Sequence, residues 1–379
     1  MGGLKRWGWA LILGLGGLGA IAPLGWSLPD RSLEASRPAQ TRSIEQFRWG
    51  SPRLESQLRL YRHYLAVHGR PPDLLIVGSS RSLQGIDPTV LERSLSMRGR
   101  SPVRVFNFSI NGATAQVVRW LVMDLLPPEW LPRAIVWGDG SRAFNSGRAD
   151  RTYASIAASE GFRHLVSAQW SGRRPWPVER PALLPAIDRL PPWPSAIGSG
   201  PVTGGAAWVL DRQRRLRSPL EPDLDRRGFL ADARQFDPPT YYRQFPKVPG
   251  RYDDMYAGFQ LAGGPQDRAA RSLIAFARSR GITLSFVNLP LSGPYLDATR
   301  LDYERQFQRY LTQLESRGLV VRDWLLRWPD RVEFFADPSH INRYGAAAIA
   351  ADLARDQSWL TSVQVPPTGA GRSALGGDF

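Results

Sequence analysis

Residues 73–88 read DLLIVGSSRSLQGIDP, an apolar run that passes without a spacer into glycine, three serines and an arginine. Leu74, Leu75, Ile76 and Val77 have the uninterrupted apolar character of a fully buried strand, so Ser79, Ser80 and Ser82 stand at its tip. Two readings fit: a plain turn, or a serine nucleophile held over the edge of a sheet. A nucleophilic serine needs a base for its proton, a third group that orients the base, and donors for the developing oxyanion. The one late histidine, His340, occurs in FADPSHINRYG with Asp337 three residues before it. In a loop or first helical turn, that spacing lets the carboxylate reach one imidazole nitrogen while the other faces a hydroxyl. A D-x-x-H alone is a weak signal, and His340 alone would read as a cap or core residue. His63 and His68 sit on a patterned helix, and His164 has no acid at useful spacing.

The elements that must position these groups alternate regularly. Apolar strands are expected near 73–77, 103–108, 134–137, 282–289 and 319–322, and helices near 43–67, 88–96, 114–126, 266–280, 302–316 and 344–355. Asp87-Pro88 is a helix start of N-cap and first-turn proline. Strands that are apolar throughout and alternate with amphipathic helices indicate a parallel sheet covered on both faces. Ligands bind such sheets beyond the carboxyl ends of the strands. The Ser79–Ser80 loop, the Asn107–Gly112 loop and the Gly138–Asn145 loop should therefore converge.

Taken in order, strand–Gly-Ser-Ser, then NFSINGAT after the next strand, then D-P-S-H before the last helix, the chain resembles the SGNH (GDSL-like) hydrolase superfamily. That resemblance rests on about 73–145 and 334–346. It implies a three-layer α/β/α sandwich with a five-stranded parallel sheet, no cofactor, and a catalytic Ser80, His340 and Asp337. It also assigns the Gly112 amide to the oxyanion hole, beside that of Ser80. The register leaves Ser82 to cap the following turn and puts Ser79 where the family has an aspartate used in local hydrogen bonding. Arg81 has two open roles, contact with an anionic substrate or pairing with an acid. The family's third block, G-x-N-D, has no match. The corresponding loop reads WGDGSRAFN, and ionised Asp139 cannot donate as the asparagine does. Ser141, Arg142 and Asn145 are the candidate replacements; loss of one oxyanion donor typically costs about 3–4 kcal/mol.

Composition bounds the remaining choices. The chain has 379 residues, ordinary apolar content of 42%, and no cysteine, which excludes disulfides and thiolate chemistry. A structural zinc site is not expected, because none of the four histidines forms a metal-like pair. The net charge of +15 points to anionic surroundings, yet there is no zinc-finger, RRM or KH pattern and no concentrated basic arm. No nucleic-acid partner is expected; phospholipid or acidic glycan suits the same charge.

The N-terminus favours the membrane. Lys5 and Arg6 precede an uncharged run from Trp7 to Pro29, long enough to cross about 30 Å of hydrocarbon, with Trp7, Trp9 and Trp26 near its ends. Cleavage after Ala22 would place Pro23 next to the cut, so an uncleaved anchor is expected. Gly14, Gly16 and Gly19 spell a dinucleotide fingerprint, but inside a membrane helix that motif has no function. The expected organisation is 1–28 stub and anchor, 29–42 linker, 43–362 catalytic domain and 363–379 disordered tail. A tryptophan-, proline- and arginine-rich insertion at about 146–262 interrupts the domain and is expected to fold over the active face or against a partner. The function that follows is a membrane-anchored, periplasmic serine esterase or O-acyltransferase. The single anchor and Gly-Ser-Ser form also resemble SGNH proteins that work beside membrane-bound O-acyltransferases, which implies such a partner and a polysaccharide substrate. A non-catalytic envelope scaffold with a degenerate site is the alternative.

Overall fold

The computed structural model describes residues 43–98, 102–170, 224–246 and 256–364. The expected anchor and linker lie outside the described residues, as do much of the insertion and all but the first two residues of the tail. Among the described residues, no helix is long and apolar enough to cross a membrane.

Five strands form one sheet: β1 (Leu74–Gly78), β2 (Val105–Asn107), β3 (Ala134–Asp139), β4 (Thr283–Asn288) and β5 (Val320–Asp323). Their spatial order is β2-β1-β3-β4-β5, and every neighbouring pair is parallel. The direction of crossover reverses between β2 and β3, on either side of β1. In open α/β sheets that reversal opens a crevice at the strands' carboxyl ends. Ser80 stands there.

Alternation along the strands explains why the central ones are apolar throughout. Leu75, Val77, Ile135 and Trp137 face one core, with the helices Pro52–His68, Ala115–Trp120, Pro265–Ser279 and Ala298–Glu315. Leu74, Ile76, Ala134 and Val136 face a second core, with Pro88–Met97, Arg343–Leu353 and Gln357–Ser362. Helices thus cover both faces of the sheet, and a parallel sheet buried in this way carries no polar stripe. Buried polar strand residues gather at the carboxyl ends, at Asn107, Asp139 and Asn288; Ser285, inside β4, is satisfied by Trp359 Nε1, which donates to its hydroxyl at 2.8 Å.

Two helix expectations need correction. The pattern from Ser43 to Val67 breaks into a 3₁₀ turn, Ile44–Gln46, and a helix that starts only at Pro52. Gly50, at φ +68, and Pro52, which fits only a first turn, enforce the break. The helix expected over 114–126 is α-helical to Trp120, then widens into a π turn over Leu121–Leu125. Further on, a small antiparallel hairpin, β6 (Phe335–Asp337) and β7 (His340–Ile341), precedes the helix Arg343–Leu353.

One close approach sets the geometry at the tip of β1. Gly78 has φ +143, and a Cβ there would overlap the carbonyl of Gly138 on the neighbouring strand. Gly281, at φ +64, has nothing within 4 Å of its notional Cβ. Gly281→Ala should therefore cost only the left-handed backbone penalty, about 1–2 kcal/mol. Gly78→Ala adds a backbone clash and should cost at least ~3 kcal/mol. Urea denaturation of the two variants tests the difference.

Candidate active site

Ser80 opens the short helix Ser80–Gly85 directly after β1. Its Oγ lies 2.8 Å from His340 Nε2, across 260 residues of sequence. The other ring nitrogen, Nδ1, lies 2.7 Å from Asp337 Oδ2 and 2.9 Å from Oδ1. Serine, histidine and aspartate are therefore joined in line at hydrogen-bonding distance.

The local fold explains the D-x-x-H spacing. Asp337 and His340 are cross-strand partners at the closed end of the β6–β7 hairpin, with Pro338-Ser339 as its turn. Asp337 Oδ1 accepts the N–H groups of Ser339 and His340, both at 2.9 Å, so the carboxylate is oriented by its own turn. The hairpin is held in turn by Asn342, whose Nδ2 donates to the carbonyls of Arg234, Glu333 and Phe335. Burial opposes ionisation of Asp337. The positive charge available on His340 and the hydrogen bonds from its ring, from Ser339 and from the His340 N–H outweigh that, holding the carboxyl well below its usual range.

Ser79 and Asp139 clamp the nucleophile loop. Ser79, not Ser82, is the N-cap: its hydroxyl accepts the Arg81 N–H at 3.2 Å. Buried Asp139, at the tip of β3, accepts the Ser79 N–H at 2.9 Å, the Ser79 hydroxyl at 3.0 Å and the Gly140 N–H at 3.0 Å. Ser82 does not cap; it is fully buried against Gly78 and Gly138, where a Cβ at either glycine would crowd it. Burial pushes the Asp139 carboxyl up, and the Arg81 charge with the bonds from Ser79 and Gly140 draws it back.

Several expected binding residues serve the scaffold instead. Arg81 reaches neither solvent nor the pocket; it is buried, and its guanidinium donates to the carbonyls of Leu289 and Pro290. It lies over Gly140, where a Cβ would overlap it. Burial depresses its pKa, as does the neighbouring charge of Arg142, while Asp139 and Glu304 support the cation. Ser141 donates to buried Glu304 at 2.6 Å, and Arg142 contacts the Tyr295 hydroxyl at 3.4 Å. Asn145 donates to the Ala257 carbonyl and accepts from Gly147 and Gln260. None of these four lines the pocket at Ser80, so the sequence expectation of Ser141, Arg142 or Asn145 as third oxyanion donor is not supported by their placement.

That pocket, about 150 Å³, is lined by Ser80, Gln84, Asn111, Arg234, Asp337 and His340. Gly112 is absent from its wall but follows Asn111 in a turn at φ +71, closed by the Ala113 N–H to the Ile110 carbonyl. Gln84, Asn111 and Arg234 were not anticipated. Gln84 stands one helical turn after Ser80, a spacing that puts both on one face. Arg234 comes from the insertion, whose segment 224–246 crosses to the active face through backbone bonds from Leu230 to Leu83, Phe236 to Phe335 and Arg343 to Asp232. No protein-family model matches the chain, and no curated protein matches it.

The site's two aspartates generate separate expectations. Replacing Asp139 by Ala strips three donors of their acceptor in a buried setting, at about 1–3 kcal/mol for each unsatisfied group that water cannot reach. Asp139→Ala should lose about 3 kcal/mol or more of stability in urea denaturation and Asp139→Asn, which keeps one acceptor, distinctly less. Asp337 acts on acid stability. Its folded pKa lies below the ordinary value near 3.9, so its contribution is complete above that value and lost as pH falls below it. Between about pH 5 and 2, stability should fall less steeply for Asp337→Asn than for the wild type.

Proposed function

We propose that the protein is a serine esterase or O-acyltransferase of the SGNH type. The observation that carries this is the continuous Ser80–His340–Asp337 relay, with 2.8 Å at the serine and 2.7 Å at the aspartate. In that reading His340 Nε2 takes the Ser80 proton as Oγ adds to an ester carbonyl, and Asp337 holds the tautomer that makes Nε2 the base. The leaving alkoxide recovers the proton from His340, and water or a sugar hydroxyl then accepts the acyl group. The order β2-β1-β3-β4-β5, with the serine at the point of reversal, agrees with the same reading.

The pocket has the volume of roughly five waters, too little for a drug-sized ligand but sufficient for a short acyl group. The acceptor would approach from the open side, past Arg234. We assign the protein to the outer side of the cytoplasmic membrane, held by the N-terminal segment 7–29. Envelope or exported polysaccharide would be its acceptor class, and a membrane-bound O-acyltransferase a candidate source of the acyl group. A scaffold with a degenerate site would have no reason to keep three catalytic side chains in hydrogen-bonding register.

A fluorophosphonate probe tests the catalytic reading. The wild type should label at Ser80, and Ser80→Ala should not label at all. Turnover of an activated acetyl ester should fall by about 10⁴-fold or more in Ser80→Ala and His340→Ala. Ser79→Ala, which removes a cap and one bond to Asp139 but no reacting group, should fall much less. A folded wild type that neither labels nor turns over would favour the scaffold.

A further inference from the structure

The site as described has a nucleophile, a base and an orienting acid, but its oxyanion donors are incomplete. Ser80 occupies the first position of its helix, so its backbone N–H has no intrahelical acceptor and can serve as one donor. The candidates on the Gly138–Asn145 loop are committed elsewhere: Ser141 to Glu304, Arg142 to Tyr295, and Asn145 to the backbone of Ala257, Gly147 and Gln260. What remains is in the pocket wall.

Resting on the acyl-transfer reading above, we propose that the side-chain amide of Asn111 is an oxyanion donor beside the backbone N–H groups, supplying from the loop after β2 the side-chain donor that Ser141, Arg142 and Asn145 are not placed to supply. Asn111 lines the same pocket as Ser80 and His340. Its position is fixed from the backbone. The Phe108 N–H binds the Ile76 carbonyl at 2.7 Å and the Ile110 N–H binds the Gly78 carbonyl at 2.9 Å, so this loop is hydrogen-bonded to the very strand end that presents the nucleophile. Its side chain, by contrast, is uncommitted: Oδ1 is buried and no hydrogen bond to another described residue holds it. With Oδ1 turned into the protein, Nδ2 is the end left for the pocket, and a carboxamide carries two donors there.

The electron bookkeeping of the step is simple. Ser80 Oγ forms a bond to the carbonyl carbon, its proton passes to His340 Nε2, and the carbonyl π pair moves onto oxygen. Asn111 Nδ2–H and the Ser80 N–H then donate to that oxyanion. On collapse the pair returns to the carbonyl, the ester C–O bond breaks, and His340 protonates the leaving alkoxide. Neither donor changes covalently. Their bonds strengthen as charge develops, which is how preorganised donors accelerate such reactions.

The test uses the full-length protein, p-nitrophenyl acetate as substrate, and three substitutions. Asn111→Asp keeps the shape but offers only acceptors; Asn111→Ser keeps a donor; Gln84→Glu makes the equivalent acid change at the other carboxamide in the wall. Asn111→Asp should lower kcat by about 10²–10³-fold with KM within a few-fold of wild type, the signature of an interaction made in the transition state. Asn111→Ser should recover part of that loss, and Gln84→Glu should lose less than Asn111→Asp. Thermal unfolding midpoints of the variants separate a structural effect from a chemical one, because a folding defect would not be relieved by a shorter hydroxyl donor. An active wild type with Asn111→Asp close to it, or with Gln84→Glu falling as far, overturns the assignment of Asn111 and leaves the triad standing. A folded wild type that neither hydrolyses the ester nor labels with fluorophosphonate overturns both.

Discussion

The contact between Ser80 Oγ and His340 Nε2 is the constraint on which the rest of the site depends, because its two members belong to elements that share no local sequence. The serine is carried by the first strand and the histidine by a hairpin near the end of the chain. A hydrogen bond tolerates only a few tenths of an ångström, so each side must be fixed independently before the two can meet. Ser80 is fixed because β1 is buried over all five residues and paired on both sides, to β2 and to β3. His340 is fixed because the β6–β7 turn is closed by the Asp337 carboxylate, and because Asn342 ties the hairpin to three backbone carbonyls. The aspartate thus serves twice, once in the turn and once against the ring.

Close backbone approach does the remaining positioning. The sequence W-G-D-G-S places two glycines around Asp139, and each makes room for a residue of the nucleophile loop: Gly138 for Ser82, Gly140 for the Arg81 guanidinium. With those neighbours drawn in, Asp139 can receive both donors of Ser79, and Arg81 can reach past it to the carbonyls after β4. A buried guanidinium and two buried carboxylates are expensive to desolvate; Arg81 is offset by backbone carbonyls, Asp139 by the donors of Ser79 and Gly140, and Glu304 by the Ser141 and Tyr256 hydroxyls on its Oε1. The arrangement rigidifies the loop from behind while leaving the pocket side of Ser80 open.

What the sequence reveals divides along the same line. All five strands were legible to within about two residues, because buried parallel strands are written as apolar runs. The alignment of Ser80, His340 and Asp337 was legible because Asp337 and His340 are close in sequence and Gly-Ser-Ser follows a strand. The polar loop residues were not, because their roles are settled by partners far away in the chain: Ser141 meets Glu304 163 residues on, and Asn145 meets Ala257 112 residues on. No local pattern distinguishes a serine that donates to a buried glutamate from one that faces a substrate. Asn111 carried a signal that pointed elsewhere, since Asn-Gly reads as turn chemistry. Gly112 does make that turn, and the asparagine side chain is left over to face the pocket. Pro52, by contrast, carries a local signal, since proline fits the first turn of a helix and the helix does start there.

The placement of Arg234 separates the protein's overall charge from the electrostatics of its pocket. The chain carries +15, yet the one arginine in the pocket wall is bound through Nε and Nη2 by the carboxylate of Asp232, two residues before it. Such a pair keeps the guanidinium plane oriented while cancelling most of its field at a distance. With the Asp337 carboxylate in the same wall, the charges lining the pocket nearly balance. An anionic polymer or lipid surface would therefore be drawn to the protein by its wider surface, not by the reacting centre, and that attraction would weaken with salt. On the acyl-transfer reading proposed above, the pocket would discriminate by shape and by directed donors, with a small uncharged ester group presented to Ser80 while the charged body of its carrier stays outside.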